Sequence, residues 1–326
     1  MKAFVTGATG FLGANLVAAL TARGDEVRIL RREGSSKRAL AGLSYEEVLG
    51  DIKGDQDALV RAMEGCDCVF HVAAQIQYHR FPDELYAVNV GGTRNVCQAA
   101  LRADIPRLVY TSSLSAMGIS QHQEPLTEES CYELNPEEFP YGHSKLLGEL
   151  EVRRAMDQGL WVVILNPATM FGPRDVNRNA GAMVIQAVHG RLKFFPPGGS
   201  NFIAVRDVVE GHLAALEKGR MGERYILGNR NLTYREIFSL VCQVLGKPAP
   251  RFPLPAPVLR AASLGVRVIR RFSGAALPVD ANQVLMSMRN IYADSSKAIR
   301  ELGLPQTPLE SAIEETHRWY LANGYL

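Results

Sequence analysis

The chain has 326 residues, 47% hydrophobic and 21% charged, the balance of a folded globular protein long enough for a sizeable core. A formal net charge of +2 gives no electrostatic reason to expect a nucleic-acid partner. No apolar run approaches the roughly 18 residues needed to cross a bilayer, and Met1–Thr6 enters structure with no secretory leader, so a cytoplasmic protein is expected.

From the first residue, strand-like and helix-like segments alternate. Lys2–Thr6 reads as a strand, Gly10–Arg23 as a helix and Glu26–Arg31 as a second strand. Lys37–Leu43 has helical character, Ser44–Leu49 is a third strand, Asp55–Met63 a helix and Cys68–Val72 a fourth strand. A long helix is predicted over Pro82–Ala103, then a strand at Leu108–Thr111, a helix over Tyr141–Gln158 and a strand at Trp161–Leu165. Short runs of Val, Ile and Leu separated by helices suit a parallel sheet covered on both faces. The fold class expected is α/β, a Rossmann-type doubly wound parallel sheet.

After Pro167 the pattern changes, with Pro and Gly clustered at Phe195–Ser200 and Lys247–Pro257. Asn201–Leu216 reads as a strand and helix that could return to the main sheet. The expected division is a nucleotide-binding domain of residues 1–167 plus a return segment near 203–216. The smaller interleaved C-terminal substrate lobe is then 168–202 and 217–326.

Thr6-Gly7-Ala8-Thr9-Gly10-Phe11-Leu12-Gly13 lies between a strand and a helix. There Gly7 permits a tight turn, Gly10 lets backbone approach a pyrophosphate, and Gly13 allows close helix packing. The helix N-terminus offers N–H groups to the anion, and Thr9, Phe11 and Leu12 belong to the same loop. At the end of the second strand an acidic residue would suit the ribose of NAD, and an arginine the 2′-phosphate of NADP. Arg31 and Arg32 stand there, and a planar guanidinium suits phosphate, so NADP is expected. A one-residue slip to Glu33 would instead favour NAD.

Tyr141 and Lys145, four apart after Pro140, share a helix face. A neighbouring ammonium stabilises a phenolate, which turns tyrosine into a usable acid–base group near neutral pH. Ser113, after the strand ending Val109-Tyr110-Thr111, can orient the same substrate oxygen. Alone, such a serine is a common cap, and Tyr-x-x-x-Lys recurs in many helices.

Together and in this order, these pieces resemble the extended short-chain dehydrogenase/reductase family over essentially the whole chain. Further matching pieces are Gly50-Asp51-Ile52, His71-Val72-Ala73-Ala74, Asn89-Val90-Gly91-Gly92-Thr93, Thr111–Ser113 and Asn166-Pro167. The resemblance implies that Ser113, Tyr141 and Lys145 are catalytic and that Lys145 also holds the nicotinamide ribose. It implies that Asp51 and Ile52 hold adenine, that Val72, Ala73, Ala74 and Thr111 line the cofactor groove, that Pro167 places the nicotinamide, and that Asn89 supports the active-site helix. From the residues alone, Asp51 could be a helix cap and Ala73–Ala74 close strand packing. The second and fifth strands look most like the dihydroflavonol reductase and hydroxysteroid dehydrogenase branch. Glu223–Gly228 and Asp294–Ala298 are also similar to hopanoid-associated, nominal sugar-epimerase relatives. Arg206-Asp207 departs from the two acidic residues frequent in relatives.

The weaker signals remain two-sided. Cys66, Cys68, Cys97, Cys131 and Cys242 are odd in number and suit reduced thiols. His71, His79, His122 and His143 lack metal-ligand spacing, so no metal is expected. Met117, Met170, Phe171 and Met183 suggest an apolar substrate, or core packing. In Val258–Phe272, Leu259, Ala262, Val266 and Ile269 share one helical face, with Arg260, Arg267 and Arg271 on another. Such a helix can lie on an anionic membrane surface, or be a solvated face over a core. The function expected is an NADPH-dependent reductase of a ketone or aldehyde on a small, moderately apolar molecule. The alternatives are an NAD-dependent nucleotide-sugar epimerase or dehydratase, and a regulator that binds NADP without turnover. The resemblance also implies a homodimer through the long helices.

Overall fold

The computed structural model describes residues 1–76, 82–120, 124–273 and 280–326, so His79 and His122 lie outside the described residues. The strands run in chain order as β1 (Lys2–Thr6), β2 (Glu26–Arg31), β3 (Glu46–Leu49), β4 (Cys68–His71), β5 (Leu108–Thr111) and β6 (Val162–Pro167). They continue as β7 (Thr169–Phe171), β8 (Phe194–Phe195), β9 (Gly199–Ala204), β10 (Arg224–Leu227), β11 (Arg230–Thr233), β12 (Phe252–Pro253) and β13 (Asn290–Ile291). The first helices are α1 (Phe11–Ala22), α2 (Gln56–Met63), α3 (Pro82–Tyr86), α4 (Thr93–Arg102), α5 (Pro140–Met156) and α6 (Gly181–Val188). The rest are α7 (Val205–Lys218), α8 (Tyr234–Val244), α9 (Ala256–Ser273), α10 (Ala281–Met286), α11 (Ser296–Leu302) and α12 (Leu309–Ala322).

A seven-stranded sheet, ordered β10-β6-β5-β4-β1-β2-β3 and parallel throughout, is the expected doubly wound α/β layer. Its central strands β1, β4, β5 and β6 are mostly apolar because both faces are covered, whereas β2 and β3 at the edge carry the Arg28–Glu46 and Arg31–Glu47 pairs. Ala3, Val5, Phe70, Val109 and Val163 point toward α1 and α7, while Phe4, Val69, Leu108, Val162 and Ile164 point toward α2, α4 and α5. Alternation along each strand thus feeds two cores, one on each side.

Three local expectations change. The segment Lys37–Leu43 makes only a single 3-10 turn at Arg38–Leu40, bracketed by Gly34 and Gly42, both at φ +77°. The long helix after Pro82 is split by a π-helical turn at Ala87–Gly92. The turn is tightly packed: a Cβ on Gly92 would sit 2.5 Å from Cδ1 of Ile52, so the backbone there presses on the loop after β3. Of the segment Asn201–Leu216, the helix α7 packs on the main layer, whereas the strand β9 does not join the main sheet. The edge beside β6 is taken by β10, whose Tyr225, Ile226 and Leu227 are fully buried.

β9 instead centres a small sheet with β7, β11 and β13. Phe171, Phe202, Ile237, Val241, Ile313 and Tyr320 build the core of this smaller lobe under α6, α8 and α12. The Arg206-Asp207 departure has a structural use: buried Asp207 accepts from both the backbone N–H and the hydroxyl of Thr307, and Arg206 pairs with Glu315. Among the described residues, no helix is long and apolar enough to cross a membrane.

Candidate active site

The strand order reverses between β1 and β4, and at such a point the loops leaving the carboxyl ends part to form a crevice. The carboxyl ends of β1, β3, β4, β5 and β6 and the loops leaving them carry Gly7–Gly13, Asp51 and Ile52, Val72–Ala74, Thr111–Ser113 and Pro167, so nearly all the residues singled out in the sequence meet at this edge.

The glycine loop is shaped by close backbone approach. Gly7 has φ +72°, and a Cβ there would lie 2.6 Å from the amide nitrogen of Ala73, so the loops after β1 and β4 touch. A Cβ on Gly13 would fall 2.3 Å from the Gly7 carbonyl oxygen, which fixes α1 against the loop. Gly10 has no such crowding beyond Gly7 O at 3.2 Å, and it is the N-cap of α1 with no side-chain cap and no acidic residue in the first turn. Uncapped N–H groups beside an open glycine fit a pyrophosphate. Phe11 and Leu12 are buried and Thr9 is half-buried, so they meet the crevice mainly through backbone.

At the end of β2 the two arginines differ. Arg31 donates to Glu47 at 2.7 Å and to the carbonyls of Arg32 and Ser35. Glu47 also pairs with Lys37 at 2.6 Å, and the hydrogen bonds from Arg31 and then Lys37 hold its carboxyl down at about 2. Arg32 is exposed. Asp51 accepts from the backbone N–H of Lys53, and Ile52 is buried against the π-helical turn.

Pro140 opens α5, and Tyr141 and Lys145 face inward one turn apart. Burial pushes the Tyr141 hydroxyl up from its ordinary value, opposed by a hydrogen bond with Ser113. Lys145 is buried, its Nζ donates to the Thr111 carbonyl at 2.7 Å and stands 4.7 Å over the Tyr110 ring. Desolvation lowers its ammonium to about 7, opposed by the charge of Glu149. Ser113, two residues past β5, is extended, and its Oγ accepts from the Ser115 N–H at 3.1 Å.

Asn89 of the π-helical turn clasps Gln75 in both directions, at 2.8 and 2.9 Å, and donates to Ser144 of α5 at 2.9 Å. It therefore ties the loop after β4 to the helix bearing Tyr141. His71, buried between Thr6 and Thr93, and His212, bonded to Thr111, are held neutral by burial. His143 meets the Tyr86 hydroxyl at 2.9 Å.

Sequence reasoning passed over a buried carboxylate, Glu149. It accepts from Ser112 at 2.5 Å and Asn166 at 2.8 Å and pairs with Arg224 of β10 at 2.5 Å. Asn166 also donates to the Ser113 carbonyl at 2.9 Å. The available signal was the four-residue repeat Tyr141, Lys145, Glu149, which puts all three on one helix face. Of the four residues considered for substrate, Met117 and Phe171 are fully enclosed by core packing and offer no surface to a ligand. Met170 and Met183 are half-buried beside the two cores.

Comparison with known proteins accords with this arrangement. The model of the NAD dependent epimerase/dehydratase family matches residues 3–228. A Synechocystis sp. protein named "Putative dihydroflavonol 4-reductase" is 37% identical over 99% of this chain and 95% of its own length. "Sterol demethylase protein B" of Methylococcus capsulatus is 35% identical over 100% of both chains. The crystal structure of a nucleoside-diphosphate-sugar epimerase from Pseudomonas aeruginosa superposes with a TM-score of 0.81 at 28% identity, covering 100% of this chain and 99% of that one. With its parallel sheet, glycine loop and crevice, the chain belongs to the NAD dependent epimerase/dehydratase family and is an NAD(P)-dependent enzyme of the extended short-chain dehydrogenase/reductase type.

Proposed function

We propose that the chain is an NADPH-dependent reductase that converts a ketone or aldehyde on a moderately apolar small molecule to the alcohol. The observation that carries this reading is the grouping beside the crevice of Ser113, Tyr141 and Lys145, the last two buried one turn apart on α5. The sheet layer would hold the cofactor along Gly7–Gly13, Asp51, Ile52, Val72–Ala74, Thr111 and Pro167, and the smaller lobe would close over the substrate.

A bound, reduced nicotinamide supplies the hydride. Ser113 holds the substrate carbonyl oxygen through its hydroxyl. Tyr141, kept protonated by burial, gives its proton to that oxygen as negative charge develops there. The ammonium of Lys145 stabilises the phenolate left behind. Asn89, through Ser144, holds the start of α5 in register with the loop after β4. Exposed Arg32 supports NADPH, since its fork is available to a 2′-phosphate.

A second reading, an NAD-dependent nucleotide-sugar epimerase, draws support from the Arg31–Glu47 pair, which occupies one of the two arginines. Against it, Arg174, which with Asn179 and the loop to Arg191 could address a diphosphate, donates instead to the carbonyls of Ala39 and Ala41.

Tyr141→Phe tests the mechanism. Turnover of carbonyl substrates should fall by about a hundredfold or more while NADPH affinity is unchanged, and retained turnover would sink the assignment. The nicotinamide content of freshly purified protein separates the two readings. An exchangeable site preferring NADPH favours the reductase, and NAD(H) that survives dialysis favours the epimerase.

A further inference from the structure

α9 turns its apolar side outward. The helix is fastened to the protein by buried Leu259 and Ser263, whose hydroxyl donates to the Ala281 carbonyl at 3.0 Å. This is a different face from the one expected in the sequence, because Ala262 and Ile269 are exposed and Val266 is only half-buried. On the solvent side Val258, Leu264 and Val268 are 54%, 64% and 47% exposed, with Ala261 between them. Val258, Ala261, Leu264 and Val268, at steps of three, three and four residues, fall on one face of the helix. β12 leads into the helix, and its Phe252 lies 5.6 Å from Phe194 of β8, the two rings 54% and 52% exposed. Amphipathic helices of globular proteins bury the apolar stripe; here much of it is left in water.

Charge indicates what covers it. Between Glu236 and Asp280 the sequence contains no acidic residue and six basic ones, Lys247, Arg251, Arg260, Arg267, Arg270 and Arg271, in a chain whose net charge is only +2. Exposed Arg260 and Arg267 line one edge of the stripe. A second copy docked on this face would bring two such positive segments together, which repel. A nucleic acid would find aliphatic side chains where stacking surfaces are needed. An apolar centre with a cationic rim matches an anionic bilayer, where aliphatic and aromatic side chains enter the headgroup boundary and arginines meet lipid phosphates.

We propose that α9, with the Phe194–Phe252 pair at its start, rests on an anionic membrane surface. The contact would stand close behind the candidate site. α9 packs on α10 through Ser263–Ala281 and Arg267–Asn282, and Met286 of α10 packs against the cluster of Phe139 and Tyr141. An apolar substrate dissolved in the bilayer would then lie beside the wall of the crevice.

The test is co-sedimentation of the full chain with extruded phosphatidylcholine vesicles, with and without about one quarter phosphatidylglycerol. The protein should pellet with the anionic vesicles at low salt and be released at about 0.5 M salt, where screening is short-ranged. Leu264→Glu/Val268→Glu and, separately, Arg260→Glu should each weaken the partition at least about fivefold, with melting temperatures near that of the parent showing that they are folded. Absence of binding to anionic vesicles, or undiminished binding of the folded variants, would overturn the proposal. So would a drop in assembly mass caused by Leu264→Glu/Val268→Glu in sedimentation equilibrium, since that would assign the face to a second copy. The assay reads no turnover, so it stands apart from the reductase reading.

Discussion

Glu149 stands one turn beyond Lys145 on α5, and the two buried side chains carry opposite charges into the same interior. Burial pulls the Lys145 ammonium down to about 7, and Glu149 works against that fall. Glu149 in turn is gripped by Ser112, Asn166 and Arg224.

Replacing Glu149 with Gln should therefore have two effects. The ammonium of Lys145 would lose its support and deprotonate at lower pH, so the alkaline limb of the kcat–pH profile should move acidward by about one unit. Arg224 would be left without its buried counter-ion, at a cost of roughly 3 kcal/mol, read from chemical denaturation. Adding Arg224→Met should restore part of the stability without restoring the pH profile.

Acid stability should depend on two buried histidines. Burial, and then the charge of Lys145, lowers His71 to about 3, and burial lowers His212 to about 4. An unfolded histidine takes up its proton near 6.5. Between that pH and the folded values the unfolded chain binds more protons, so stability rises with pH and is lost as pH falls from 6.5 toward 4. His71→Gln should lower stability at pH 7 and also flatten this slope, by up to about 1.4 kcal/mol per pH unit. A denaturant series from pH 7 to 4 reads both, and an unchanged slope would contradict the burial of a neutral imidazole.

At the end of β2, Glu47 holds Arg31, a second guanidinium beside the exposed Arg32 that a 2′-phosphate could draw on if NADPH is the cofactor. Glu47→Gln should tighten NADPH binding about twofold to fivefold and leave NADH binding unchanged, by fluorescence titration. Equal effects on both cofactors would mean that Arg31 does not face the phosphate.

A steric prediction concerns α5. A Cβ at Gly148 would lie 2.4 Å from the Tyr110 hydroxyl and 2.8 Å from the Asn89 carbonyl oxygen. Gly148→Ala should cost about 1–3 kcal/mol by overpacking, seen as a lowered melting temperature. Because it pushes on the π-helical turn, kcat should fall more than the affinity for cofactor.

What was legible in the sequence was local. Strands β1, β2 and β5 match the predicted runs because apolar residues between polar turns report burial on both faces. The glycine loop and the Tyr141–Lys145 spacing are likewise local patterns. The pairing of Glu149 with Arg224 joins residues 75 positions apart, and no periodicity encodes it. The same holds for β10, whose arrival beside β6 rather than β9 is decided by tertiary packing. Met117 and Phe171 show a different limit, since an apolar residue lining a pocket and one sealed in a core carry the same side chain.

The late return of β10 bears on how the chain assembles. β6 ends at Pro167, but its outer partner is supplied only by residues 224–227, after the chain has crossed the smaller lobe. Until then β6 is a mostly apolar strand with one ladder of N–H and C=O groups unpaired, a template for a strand from any other molecule. The lobe strands β7, β8 and β9 and helix α7 therefore lie between an exposed edge and its natural cover. A chain emerging from the ribosome would carry that sticky edge for more than 50 residues of further synthesis. A fragment ending before Arg224 would keep it permanently, so the glycine-loop half cannot be cut from the lobe as a well-behaved module.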